Sequence, residues 1–138
     1  MRATQEIQIS AFLANRPGIV ADFCAALTEH GVNIKAMCVL DSVDIGTVRM
    51  IVDDVEKAKD SLNGAGAAYI EVPVITLPIS NEPGAFAKMA RTLSIRGINI
   101  DYFYLTALPG ATLALGVFRV SDTEGALEVE FEDVGADV

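Results

Sequence analysis

Asn15-Arg16-Pro17-Gly18 and Asn81-Glu82-Pro83-Gly84 are the two places where this chain offers chemistry. Each stands where an extended stretch gives way to a helical pattern, which leaves the first N–H groups of the helix without intrahelical partners and facing outward. Such an end attracts a carboxylate or another anion, and glycine lets the ligand come close to the main chain. Asn15 and Asn81 add an amide at the same rim, while Asn33 and Asn99 enter the following strand from the other end of the helix. Each asparagine also has a plain structural role open to it: Asn15 and Asn81 as helix caps, Asn33 and Asn99 as turn closers.

Catalytic chemistry has no comparable constellation. There is one histidine, His30, and no Ser or Cys beside a base, no HExxH and no Walker loop. Gly64-Ala65-Gly66-Ala67-Ala68 follows a helical pattern and lacks the third glycine of a dinucleotide fingerprint. Arg16 is the near candidate for an acyl-phosphate site on a fold of this kind, but it stands alone. Cys24 and Cys38 match neither a CxxC pair nor a zinc spacing, and both fall on apolar positions that suit buried thiols. The expectation is a non-enzyme with no metal and no cofactor.

The two loops belong to a longer echo. Residues 15–34 align without a gap on residues 81–100 at an offset of 66, sharing Asn15/Asn81, Pro17/Pro83, Gly18/Gly84, Ala21/Ala87, Leu27/Leu93, Gly31/Gly97, Asn33/Asn99 and Ile34/Ile100. The chain of 138 residues is therefore two copies of a small unit. A unit of about 60–70 residues buries only about 60% of its unfolded surface, so it gains from packing on a twin or on a second chain.

The elements that position the loops follow from periodicity. Ile7, Ile9, Ala11 and Leu13 alternate as in a half-buried strand. Pro17 suits a first helical position, and Val20, Phe23, Cys24 and Leu27 make an amphipathic stripe that reappears as Phe86, Met89, Ala90 and Leu93. Gly31 and Gly97 stop these helices, and His30 and Arg96 suit their negative ends. Residues 32–40 with 47–52, and 98–108 with 112–120, read as hairpins, joined by turns at 41–46 and 109–111. Residues 53–66 form a capped helix, and 121–135 its weaker counterpart, because Gly125 and β-branched residues lower its propensity.

The expected fold is α+β: two tandem ferredoxin-like βαββαβ units forming antiparallel sheets with helices on one face, over residues 5–72 and 73–138. Residues 67–80 join them without a flexible linker. The second copy reaches Val138 only about three residues into its final strand, which leaves that strand very short, completed by another segment, or cut.

Net charge is −9, and seven acids with no basic residue crowd the stretch from Asp122 to Asp137, which suits a solvated helix face. Nucleic acid is excluded as a partner, since its binding depends on neutralising phosphates with Lys and Arg. Tyr102, Phe103 and Tyr104 alternate across a strand and suit core packing plus an interface better than base stacking. No membrane span and no export signal is visible, so the expected compartment is the cytoplasm.

With the N-x-P-G before each first helix and the G-[VI]-N-I after it, the chain resembles the ACT domain family across about residues 5–138. It is similar in particular to the free-standing proteins made of two tandem ACT units. The resemblance implies a regulatory, usually dimeric module that holds a free amino acid at a unit-to-unit interface and is read by a partner enzyme or regulator. It carries over as ligand-binding candidates Asn15, Pro17, Gly18, Ile19, Asn33 and Ile34 in the first copy, and Asn81, Gly84, Ala85, Asn99 and Ile100 in the second. Related units serve only for assembly, and that alternative stays open, as does a small ferredoxin-like enzyme. Arg16 against Glu82 predicts unequal sites, the tighter one near Asn15–Ile19, because a ligand carboxylate is attracted by the first and repelled by the second.

Overall fold

The structure, a computed structural model, describes residues 1–41 and 45–132. The alternation that begins at Ile7 extends backward into a strand β1 (Thr4–Ala14), and residues 67–80 form one long strand, β4 (Ala68–Ser80). Two compact units result: Ile7–Val72, and Met1–Glu6 with the residues from Pro73 on. The division falls inside β1 and inside β4, so each of these strands serves both units.

In the first unit β1 is followed by α1 (Ile19–Glu29), β2 (Ile34–Asp41), β3 (Ile45–Val52) and α2 (Val55–Gly64). Antiparallel pairing sets Ile9 opposite Met50, Ala11 opposite Val48, and Met37 opposite Met50 on the far side of β3. Because side chains alternate, Ile9, Ala11, Leu13, Val48, Met50 and Val52 share one sheet face, where they pack with Phe23 and Leu27 of α1 and Ala58 and Leu62 of α2. Asp54 caps α2 by accepting from the Lys57 N–H at 3.1 Å.

The second unit runs from β4 through α3 (Ala85–Ile95), β5 (Ile100–Thr106), β6 (Leu113–Val120) and α4 (Thr123–Leu127). Its pairs repeat the plan, with Ile75 opposite Phe118, Leu77 opposite Gly116, and Phe103 opposite Phe118. Ile75, Leu77, Ile79, Met89, Leu93, Phe118, Val129 and Phe131 make its core. The helix expected over 121–135 is only five residues long, after which the chain runs on to place Val129 and Phe131 in the core. Met1–Glu6 belongs to this unit: the Phe131 N–H donates to the Met1 carbonyl at 2.8 Å, the Thr76 hydroxyl donates to Glu6 Oε2 at 2.8 Å, and Ala3 packs on the core. Arg2 and the Met1 ammonium pair with Glu128 and Glu130. The expected strand end beyond residue 132 and the centre of the turn at 41–46 lie outside the described residues.

Several local expectations change. Pro17 lies outside α1, whose first residue is Ile19. Cys24 and Cys38 are free thiols as expected but half-buried, not enclosed. His30 is an exposed end residue whose ring nitrogen meets the Ala26 carbonyl at 3.0 Å. Phe103 packs on the helix side of its sheet, and Tyr104 is buried on the opposite face.

Candidate functional site

Both loops enter their helices through a glycine in the left-handed region: Gly18 has φ 83° and Gly84 has φ 88°. A methyl group added at either glycine would meet no atom within 4 Å, so the backbone angle alone demands glycine, at about 1–2 kcal/mol for any other residue. The glycine carbonyls accept the first helical bonds, from Asp22 N–H at 2.9 Å and Lys88 N–H at 3.0 Å, while Ile19 and Ala85 donate back to Arg16 and Glu82 carbonyls at 3.3 Å. That leaves the N–H groups of Val20 and Ala21, and of Phe86 and Ala87, with no acceptor among the described residues. No side chain caps either helix.

The asparagines therefore do something other than cap. Asn15 Nδ2 donates to Asp41 Oδ1 at 3.0 Å, and Asn81 Nδ2 donates to the Ala111 carbonyl at 2.9 Å. Each struts its loop against the end of the neighbouring hairpin. Asn33 and Asn99 close the turns at the opposite end: Asn33 N–H donates to Asp53 Oδ1 and Asn99 N–H to Ser121 Oγ, both at 2.9 Å, with return bonds from Asp53 and Ser121 N–H. Eleven helical residues, about 16 Å, separate the two ends. The loop residues Asn15, Arg16, Pro17, Gly18 and Ile19 are thus brought together with Asp41, and Asn81, Gly84 and Ala85 with Ala111. Within its own unit, none of Asn33, Ile34, Asn99 and Ile100 is brought to the loop before the helix.

What lies against the loop differs between the units. In the first, a hollow of about 130 Å³ opens between α1 and the edge strand β2, lined by Asn15, Ile19, Val20, Val39, Asp41 and Val48 among others. Arg16 stands exposed in the same loop, with no ion pair among the described residues. In the second unit Phe86 takes the place of Val20, and its ring stacks on Phe103 with centroids 4.3 Å apart and lies 6.2 Å from that of Phe118. Gly116 replaces Val48; a Cβ there would come within 2.5 Å of the Phe118 ring and 2.8 Å of Ile79 Cδ1, so the ring lies across the position that Val48 fills in the first unit. Ala107 stands where the first unit has Asp41. The aromatic side chains of the second unit stack on one another, and no carboxylate matches Asp41 there.

Sequence reading missed Asp41, Val39 and Val48, since nothing in a strand pattern says which residues end beside a distant loop. Among the described residues no cluster of His, Cys, Asp and Glu could hold a metal ion, and no helix is long and apolar enough to cross a membrane.

Comparison with known proteins places this geometry. A family profile described as an ACT domain pair matches residues 4–134. A protein of known structure from Bacteroides thetaiotaomicron is similar at 32% identity, covering 91% of this chain and 86% of that one with a TM-score of 0.85. The regulatory subunit of aspartate kinase from Thermus thermophilus is similar in fold, at 18% identity over 92% of this chain and 93% of that one, TM-score 0.66. The corresponding subunit from Thermus flavus matches at 18% identity over 86% and 87%, TM-score 0.62. No match was found among curated proteins.

Proposed function

The chain belongs to the ACT domain family, and on that premise we propose that it is a regulatory protein that binds a free amino acid at the Asn15–Ile19 loop of its first unit. One observation carries the reading: beside the hollow that Asn15, Ile19, Val20 and Asp41 line, the loop offers helix N–H groups without an acceptor and an Arg16 without an ion pair among the described residues. Backbone N–H groups and a guanidinium suit a carboxylate, and Asp41 suits an ammonium, so the loop has both halves of an amino-acid head group. The hollow's size suits such a head group and not a drug-sized ligand. The structural likeness to regulatory subunits of aspartate kinase supports a regulatory reading.

In this reading the ligand settles a subunit arrangement in the cytoplasm, as a homodimer, and a partner enzyme or regulator responds to it. Asn33 and Asn99 close the turns at the far ends of the helices, away from the loop of their own unit. A specific observation favours a second reading, a ligand-free assembly module: Met37, Val39 and Leu40 on β2, and Phe103 and Leu105 on β5, are exposed apolar residues on edge strands. A thermal-shift panel of the common amino acids separates the two. A ligand at about 100 times its dissociation constant adds roughly 2.7 kcal/mol of stability. A flat panel with a null calorimetric titration leaves the assembly module.

A further inference from the structure

On the other flank of α1, the first unit holds a larger cavity of about 440 Å³, walled by Phe23, Ala26, Leu62 and Ala67 with Ser61 and Asp22. The short side chains of Ala65, Gly66, Ala67 and Ala68 after α2 keep it open. Its volume lies in the range of small-molecule sites.

Ser61 marks it as more than a packing gap. The residue is 2% exposed, yet its hydroxyl makes no hydrogen bond among the described residues, whereas the helical hydroxyls of Thr28 and Thr92 return to the carbonyl four residues back at 3.0 Å. Of the other buried polar side chains, Gln8 bonds Ser10, and Thr76 bonds Glu6. No fully enclosed side-chain N or O among the described residues lacks a partner, so the Ser61 hydroxyl must open on free space, and the space it lines is this cavity. Counting from the matching caps Asp54 and Asp122, the second unit has Val129, which follows the end of the shorter α4 and is fully buried in its core. A hydroxyl open on that space can be met by water, and a ligand atom bonding it would take that water's place. Asp22 is the one charged residue of the lining; it is exposed and has no ion pair among the described residues.

We propose that this cavity binds a small primary amine with an apolar body and a neutral polar atom at its far end: the ammonium at Asp22, the body between Phe23, Ala26 and Leu62, the polar atom on Ser61. This reading is independent of the amino-acid site at the loop. The test is an amide NMR titration of the full chain with tyramine, phenethylamine, 4-ethylphenol and 3-(4-hydroxyphenyl)propionate. Shifts are expected at Ala26, Ser61 and residues 65–68. Tyramine should bind about five-fold tighter than phenethylamine, which lacks the hydroxyl, and about three-fold tighter than 4-ethylphenol, which lacks the ammonium; the carboxylate analogue should bind weakest. Ser61→Val, which copies the second unit, should erase the first preference, and Asp22→Asn the second. No shifts in the wild type, equal binding of the carboxylate analogue, or preferences that survive both substitutions would overturn the proposal.

Discussion

Gly18 and Gly84 hold their loops at nearly the same angle, φ 83° and 88°, and each is followed by the same pattern of bonded and unbonded N–H groups. Against that shared backbone the side chains diverge. The first loop meets Val20, Val39, Val48 and Asp41, which leave a hollow with a charged wall. The second meets Phe86, Phe103 and Phe118, whose rings close on one another, with Gly116 making room. A repeated loop motif therefore specifies a backbone with unbonded helix N–H groups, and a few residues on other elements decide whether a hollow or stacked rings lie beside it.

The comparison can be strained most by removing the ring at the centre of the second cluster. Phe118→Ala should lower stability by about 3–5 kcal/mol in urea unfolding, because a fully buried aromatic is replaced by a cavity. A loss below that range would mean that the rings are loosely packed. Next comes the exchange at the matching strand position. Gly116→Val, giving the second unit the first unit's residue, should cost about 1–3 kcal/mol through overpacking against Phe118 and Ile79. Gly18→Ala and Gly84→Ala should each cost about 1–2 kcal/mol, and by nearly equal amounts, since the demand is the left-handed angle and not the surroundings. Unequal costs would show that the two backbones are not held alike.

The smallest effect concerns the second helices. Glu56 first, and Glu71 after it, hold Lys59 above its ordinary 10.5, while Leu127 stands at the matching place in the other unit. A raised pKa in the folded chain means that the contribution is fully present below 10.5 and is lost as pH rises through the higher folded value. Glu71→Gln should therefore be slightly less stable than the wild type at neutral pH, and the two should converge in strong alkali. Lys59 is half-buried and Glu71 is exposed, so solvent screens the pair and the difference should be small and should shrink with salt.

Much of this architecture was legible from periodicity. The stripe of Phe23 and Leu27 and the stops at Gly31 and Gly97 are local signals with local causes, and the structure keeps them; a cap at Asp53 or Asp54 is legible in the same way, and the structure has it at Asp54. The N-x-P-G loop was legible too, but its working was not. Asn15 looks like a cap because caps are short-range, whereas its partner Asp41 lies across the sheet. Phe86, Phe103 and Phe118 each read as one apolar position on its own element; only the pairing of β5 with β6 under α3 makes them a cluster. Met1–Glu6 reads as a polar lead-in to a strand, and its place beside Thr76 and Phe131 depends on contacts 70 or more residues away.

The central claim, that one copy of the loop binds an amino acid and the other does not, is tested most directly by isothermal titration calorimetry. The titrant is the amino acid giving the largest thermal shift, used on the wild type, Arg16→Glu and Glu82→Arg. The account predicts one amino acid per chain, an affinity about five-fold or more weaker in Arg16→Glu, and no change in Glu82→Arg. Two equal sites per chain, or an affinity indifferent to Arg16→Glu, would contradict it.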